Sequence, residues 1–202
     1  MIYDHKMRDL INGWRTDWKQ GDFPFYYVQL APCNGFYKGE MELPKMWEAQ
    51  LAALAINNTG MAATTDISDL DLHPANKQDV GKRLSLLALE NEYGEKDIVC
   101  YGPRYKSMQV RDGKIHITFD TFGSELMSRD GKALNYFSIA GKDGSFIPAI
   151  AEIDGGKVVV YRNEIAEPRA VRFAWKNDAR PNLMNTAGLP AYPFRTDVWP
   201  LD

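Results

Sequence analysis

Phe23-Pro24-Phe25-Tyr26-Tyr27-Val28-Gln29-Leu30 is aromatic or β-branched and apolar at nearly every position, the pattern of a strand covered on both faces. Ahead of it, Tyr3, Met7, Leu10, Ile11, Trp14 and Trp18 recur at steps of three and four. That spacing predicts an amphipathic helix over residues 2–18 that buries one stripe and stops at Gly21-Asp22. Behind it, a loop rich in Asn, Gly and Lys runs over about residues 32–42. Pro44 then suits the first turn of a helix carrying Met46, Trp47, Ala49, Leu51, Leu54 and Ala55, ended by Asn57-Asn58. Residues 60–65 read as a second buried strand. After an acidic loop at residues 66–73, Pro74 opens a third helix with Val80, Leu84, Leu87, Ala88 and Tyr93, and Gly94 ends it. Helix, strand, helix, strand, helix marks residues 1–100 as an α/β domain.

Past about Tyr101 the texture changes to short alternating runs at residues 106–110, 114–119, 134–139, 147–153, 157–161 and 170–175, which predict antiparallel strands. Asp112-Gly113 and Asp154-Gly155-Gly156 are tight-turn signals, because glycine accepts the positive φ that hairpins need. Residues 101–202 are therefore expected to form a small antiparallel β-sandwich with an extended tail, packed down by Leu183, Tyr192, Phe194 and Trp199. The first half carries a physical imbalance. A parallel sheet covered by helices normally has several strands, and here two strands serve three helices. Either the helices pack on the β-rich half or on another chain, or further strands are encoded ahead of Met1.

Composition narrows the function classes. The 202 residues are 45% apolar and 25% charged, ordinary for a globular chain, and the longest apolar runs fall far short of the roughly 20 residues that span a bilayer. No membrane association is expected. A net charge of −3, with acidic and basic residues interspersed, builds no cationic field for phosphate backbones, so nucleic acid is not an expected partner. Cys33 and Cys100 have no CxxC spacing and lie far from His5, His73 and His116, so no metal site or cofactor is expected. The two cysteines can form a disulfide or remain buried thiols. The start of the chain carries no basic and apolar export signal.

The chemistry concentrates in Thr64-Thr65-Asp66-Ile67-Ser68-Asp69-Leu70-Asp71-Leu72-His73-Pro74, which leaves a strand at its carboxyl end and leads into a helix, where open α/β sheets build their sites. A carboxylate that holds Nδ1–H of His73 leaves Nε2 to take a proton from a nucleophile. Asp71 is the first candidate for that carboxylate and Asp69 the second. The plainer reading of the same loop is an acidic cap on the next helix with His73 solvated. No serine lies on a Gly-x-Ser-x-Gly-like strand-to-helix turn, so a nucleophile is missing from the chain. Cys33 reads as a small loop hydrophobe. His116 alternates with Ile115 and Ile117 and should face solvent, and His5 reads as structural. Glu48 and Gln50 belong either to a site or to a helix's polar face, while Arg172, Trp175 and Arg195 are expected to glue the domains.

These residues carry a resemblance. Trp14-Arg15 with Trp18, Gln20 to Phe25, Val28-Gln29-Leu30-Ala31-Pro32, Glu48-Ala49-Gln50, Asn58-Thr59-Gly60-Met61-Ala62, Asp71-Leu72-His73-Pro74 with Asn76-Lys77-Gln78, and Pro193-Phe194-Arg195-Thr196-Asp197 resemble, in order and along nearly the whole chain, the sialate O-acetylesterase-like carbohydrate esterases of the SGNH hydrolase superfamily. The resemblance implies the C-terminal part of a flavodoxin-like three-layer α/β domain followed by the β-rich accessory part. It implies a serine enzyme that removes acetyl groups from sugars without a cofactor, with His73 as general base. The superfamily's usual Asp three residues before the histidine is Leu70 here, which leaves Asp71 and Asp69 as the alternatives, and Trp47 stands where members commonly carry Arg. The Gly-Gln-Ser-Asn-like nucleophile block and the Gly-Glu-Ser-Asn-like oxyanion block belong ahead of Met1. The chain is thus expected to be the back part of an esterase acting on an acetylated carbohydrate, or one subunit of a split enzyme whose complementary N-terminal chain brings the serine. Family members are often periplasmic or secreted. The reading from a different class is a non-catalytic carbohydrate-binding or interaction module.

Overall fold

The computed structural model describes residues 2–201, which divide into two compact units: the residues up to Cys100 together with Lys176–Asp178, and Tyr101–Trp175 together with the residues from Ala179 on. The first unit opens with helix α1 (Ile2–Trp18). Met7, Ile11 and Arg15, spaced by four, are its buried stripe, and the two apolar members pack with Ala53, Phe25 and Tyr27. Leu10, Trp14 and Trp18 lie one step round the helix and are about half exposed, so the stripe is narrower than the sequence spacing predicts.

Strands β1 (Phe25–Val28) and β2 (Thr59–Ala62) pair in parallel with Phe25 opposite Thr59, and helix α2 (Glu42–Ala52) with a 3₁₀ turn at Ala53–Ala55 crosses between them. Gly60 sits where a side chain has no room, since a Cβ there would lie 2.9 Å from the Tyr26 ring and 3.1 Å from Leu87. Helix α3 (Lys77–Asn91) packs on both strands. It begins three residues later than Pro74 suggests, because Asn76 is the cap: its side chain accepts a hydrogen bond from the Asp79 N–H at 3.2 Å. β2 is buried from Gly60 onward, but β1 is only half-buried along its length. The expectation of a strand covered on both faces is corrected for β1 by the layers this unit contains. At the carboxyl end of β1, Gln50 stands in for a neighbouring strand. Its Nε2 donates to the Val28 carbonyl at 3.1 Å and its Oε1 accepts from the Leu30 N–H at 3.0 Å, while the fully buried Trp47 donates to the Leu30 carbonyl at 2.6 Å. Gln50 is therefore not on an exposed polar face of α2 but buried against the backbone that continues β1.

The second unit is all β. β3 (Arg104–Arg111), β4 (Lys114–Asp120), β9 (Lys157–Tyr161) and β8 (Ile150–Asp154) form one antiparallel sheet in that order. A second sheet runs β12 (Phe194–Arg195), β10 (Ala170–Phe173), β6 (Phe137–Ala140), β7 (Ile147–Pro148), and β5 (Leu126–Ser128) pairs with β11 (Leu183–Asn185). Ile115, Ile117, Val158 and Val160 of the first sheet share one core with Phe137, Ile139, Val171 and Phe173 of the second. The two turns read from sequence are hairpins, with Asp112 and Gly113 at φ 51° and 71° and Gly155 and Gly156 at φ 53° and 78°. Three strands, β5, β11 and β12, were not legible because each has only two or three residues. Arg172 binds the buried Asp197 carboxylate through two contacts of 2.9 Å, and Arg195 reaches the same carboxylate at 3.5 Å, all inside this unit.

Gly102 makes the tightest glycine contact of the unit: a Cβ built on it would lie 1.9 Å from the Pro190 carbonyl oxygen. Because the obstacle is backbone, Gly102→Ala forces a chain shift and is expected to destabilise the protein by about 3 kcal/mol, the upper end for overpacking, read from chemical denaturation.

Candidate functional site

The site is built where the chain leaves β2. Past the last paired residues, Thr64 continues the rung to β1, with its Oγ1 donating to the Gln29 carbonyl at 3.1 Å and its N–H donating to the Gln29 Oε1 at 3.2 Å. Asp66 then meets Arg83 of α3 in a two-pronged ion pair, both contacts 2.7 Å, and Arg83 also donates to the Ala63 carbonyl at 2.7 Å. Both side chains are more than nine-tenths buried, so this clamp fixes the base of the loop to the helix.

Ser68 ties the middle of the loop to the segment after β1. Its hydroxyl donates to the Pro32 carbonyl at 2.5 Å and accepts from the Leu70 N–H at 2.9 Å, and it is buried. Leu70 sits at φ 70°, a strained conformation for a non-glycine residue, and bridges to Cys33 in parallel while accepting from the Asn34 N–H at 3.0 Å. Asp69 accepts from the N–H groups of Asp71 at 3.1 Å and Ala75 at 3.2 Å, and Asp71 accepts from the His73 N–H at 2.8 Å. These are the self-folding turns that Asp makes with nearby backbone. His73 is exposed, and among the described residues no hydrogen bond joins its imidazole to either carboxylate. The structure therefore brings His73, Asp71 and Asp69 into one loop, with the carboxylates shaping the backbone around the histidine.

The backbone amides of Ala75 and Asp71, in that order, hold the Asp69 carboxyl below its ordinary range. A lowered folded value means that the stabilisation is present above the unfolded carboxyl value, about pH 4, and is lost as pH falls through the lower folded value. Protection of the Asp71 and Ala75 amides, measured relative to their intrinsic exchange rates, should accordingly be present near neutrality and fall on acidification through the carboxyl range, and Asp69→Ala should remove that step.

The other candidates fall away on geometry. Cys33 and Cys100 are buried free thiols rather than a disulfide. Burial, and then the negative charge of Asp71, push the Cys33 thiol up, while burial and the Glu90 carboxylate to which it donates push Cys100 up, so both stay protonated and unreactive. His116 lies half-buried on the outer side of β4, whose Ile115 and Ile117 point inward, and His5 is exposed on α1. Among the described residues, no three His, Cys, Asp or Glu side chains form a metal-binding group, and no helix is long and apolar enough to cross a membrane. Sequence reading missed Arg83 and Gln29. The available signal for Arg83 was a basic residue four positions before Leu87, on the inner stripe of α3, facing the carboxylate at the strand exit.

No family model matches the chain. Sialate O-acetylesterase of Mus musculus is 26% identical over 196 aligned positions, covering 86% of this chain and 36% of that protein. Sialate O-acetylesterase of Homo sapiens is 28% identical over 220 aligned positions, covering 96% and 42%. Among solved structures, a carbohydrate acetylesterase from Xanthomonas citri matches with a TM-score of 0.91 and 39% identity over 98% of this chain and 46% of that one. The chain spans less than half the length of these relatives.

Proposed function

This chain is sialate O-acetylesterase-like in sequence and in fold, and from that premise we propose that it is the histidine-bearing part of a carbohydrate O-acetylesterase whose nucleophilic serine lies on polypeptide outside these 202 residues. On this reading the first unit completes a flavodoxin-like three-layer α/β domain, and the second is its β-sandwich accessory part. One observation carries the proposal. A loop whose base, middle and turn are pinned by Arg83, Ser68 and Asp69 presents the His73 ring to solvent at the carboxyl end of β2, with no hydrogen-bond partner for the ring among the described residues.

The chemistry follows from that placement. Serine attacks the acetyl carbonyl, and His73 Nε2 takes the hydroxyl proton and returns it to the departing sugar oxygen. Water then repeats the sequence on the acetyl-enzyme, with His73 again as base. Asp71, bonded to the His73 N–H, and Asp69, bonded to the Asp71 and Ala75 N–H groups, act as positioning residues through the backbone. Ser68 is unsuited to be the nucleophile, because its hydroxyl proton is already given to the Pro32 carbonyl.

The test is a chimera in which this chain replaces the part of the Xanthomonas citri carbohydrate acetylesterase that it matches. The chimera should hydrolyse 4-nitrophenyl acetate and an acetylated sugar, while this chain alone stays at background. Turnover by the chain alone, or a folded chimera without activity, overturns the proposal.

A further inference from the structure

Between β1 and α2 the chain forms no helix or strand, and much of its backbone finds its hydrogen bonds at a residue from far along the sequence. Asn177, with Lys176 and Asp178, belongs to the first unit although Trp175 and Ala179 on either side belong to the second. Its side chain donates to the Gly39 carbonyl at 2.5 Å and accepts at Oδ1 from the Leu43 N–H at 2.8 Å. Its own N–H donates to the Glu40 carbonyl and its carbonyl accepts from the Cys33 N–H, each at 3.1 Å. All of its hydrogen-bonding groups are thus spent on one loop.

Two of these bonds replace what the local sequence lacks. Met41, at the N-cap position of α2, brings no capping side chain, and Leu43 is the second helical residue, whose N–H such a side chain would bond. Asn177 Oδ1 supplies that cap from outside. The bond to Cys33 bears on the histidine. Cys33 bridges in parallel to Leu70, the Asn34 N–H donates to the Leu70 carbonyl at 3.0 Å, and the Leu70 N–H donates to the buried Ser68 hydroxyl at 2.9 Å. Leu70 is therefore held from both sides at φ 70°, a conformation that a leucine keeps only where its surroundings impose it. Three residues further on stands His73, its N–H bonded to Asp71. The imposed turn at Leu70 sets the direction in which Asp71 and His73 leave, and its support runs back through Asn34 and Cys33 to Asn177.

We propose that Asn177 is a positioning residue for His73, acting through Cys33, Asn34 and Leu70, so that polypeptide beyond Cys100 takes part in shaping the catalytic loop. The catalytic consequence rests on the acetylesterase reading, and the structural one on the hydrogen bonds alone. In the full chain labelled with ¹⁵N, Asn177→Ala should shift the amides of Leu70, Asp71 and His73 and lower their protection about tenfold, the loss expected for a hydrogen bond, while amides of β4 and β9 keep theirs. In the chimera the same substitution should lower kcat for 4-nitrophenyl acetate about tenfold at unchanged KM, because the base is displaced while the surface that meets the ester is kept. The wild-type chain, which needs no variant to fold, gives a further readout: in native-state hydrogen exchange Cys33, Asn34 and Leu70 should open as one unit. Wild-type shifts and protection at residues 70–73 in Asn177→Ala, exchange of Leu70 independent of Cys33, or a fall in turnover no larger than the fall in folded protein overturns the proposal. A chimera that is inactive with Asn177 in place overturns the esterase reading instead, and the exchange measurements then decide the positioning by themselves.

Discussion

In the chimera, His73→Ala is expected to lower turnover of an acetyl ester by about 10⁴-fold or more, because on the proposed reading the serine loses the base that takes its proton. The loss should fall on kcat rather than on KM, since the exposed ring contributes little surface to substrate binding. Asp71→Asn should cost much less, because an amide oxygen can still accept from the His73 N–H that Asp71 now bonds. Asp69→Asn keeps one acceptor for two amide donors and should fall between these. A loss below tenfold for His73→Ala, in a chimera that remains folded, would remove the histidine from the mechanism.

The largest expected effect on stability belongs to Arg83. Arg83→Met leaves Asp66 as a carboxylate whose side chain is 6% exposed and without its guanidinium, and it strips the donor from the Ala63 carbonyl. Breaking one side of a buried pair in this way costs about 3–5 kcal/mol, to be read as a lower urea midpoint at unchanged slope. Replacing both partners, with Asp66→Leu added to Arg83→Met, should recover most of that loss, because no buried charge is then left unpaired. If the double variant is no more stable than the single one, the pair is not the source of the effect. His73 should feel the single change too, since the clamp sets where its loop begins.

The strand–loop–helix that holds His73 was legible because three local signals agree there: an apolar strand, Asp and Pro punctuation, and an amphipathic helix. The target of the carboxylates was not legible. Spacing says that Asp71 lies near His73, but only the backbone conformation decides whether it meets the ring or the N–H, and a leucine at φ 70° is part of that conformation. The helix stripe misled at Trp14 and Trp18 because periodicity counts apolar residues without knowing which neighbours exist to cover them. Asn177 and Asp178 were beyond sequence reading altogether, since they join the first unit from more than 130 residues away from the carbonyl of Gly39 that Asn177 caps.

The buried guanidinium of Arg15 donates to the carbonyls of Phe23 and Asn57, each at 2.8 Å, and more loosely to that of Asn58 at 3.3 Å. These three oxygens sit just before the two parallel strands. For anyone shortening the protein, the first helix is therefore not a removable leader to the sheet: a version trimmed to begin at residue 19 would enter both strands with unmet acceptors. A cut in the exposed stretch around Glu95 is no safer, because it separates the first unit from Cys100 and from residues 176–178, whose Asn177 bonds Gly39, Glu40, Leu43 and Cys33.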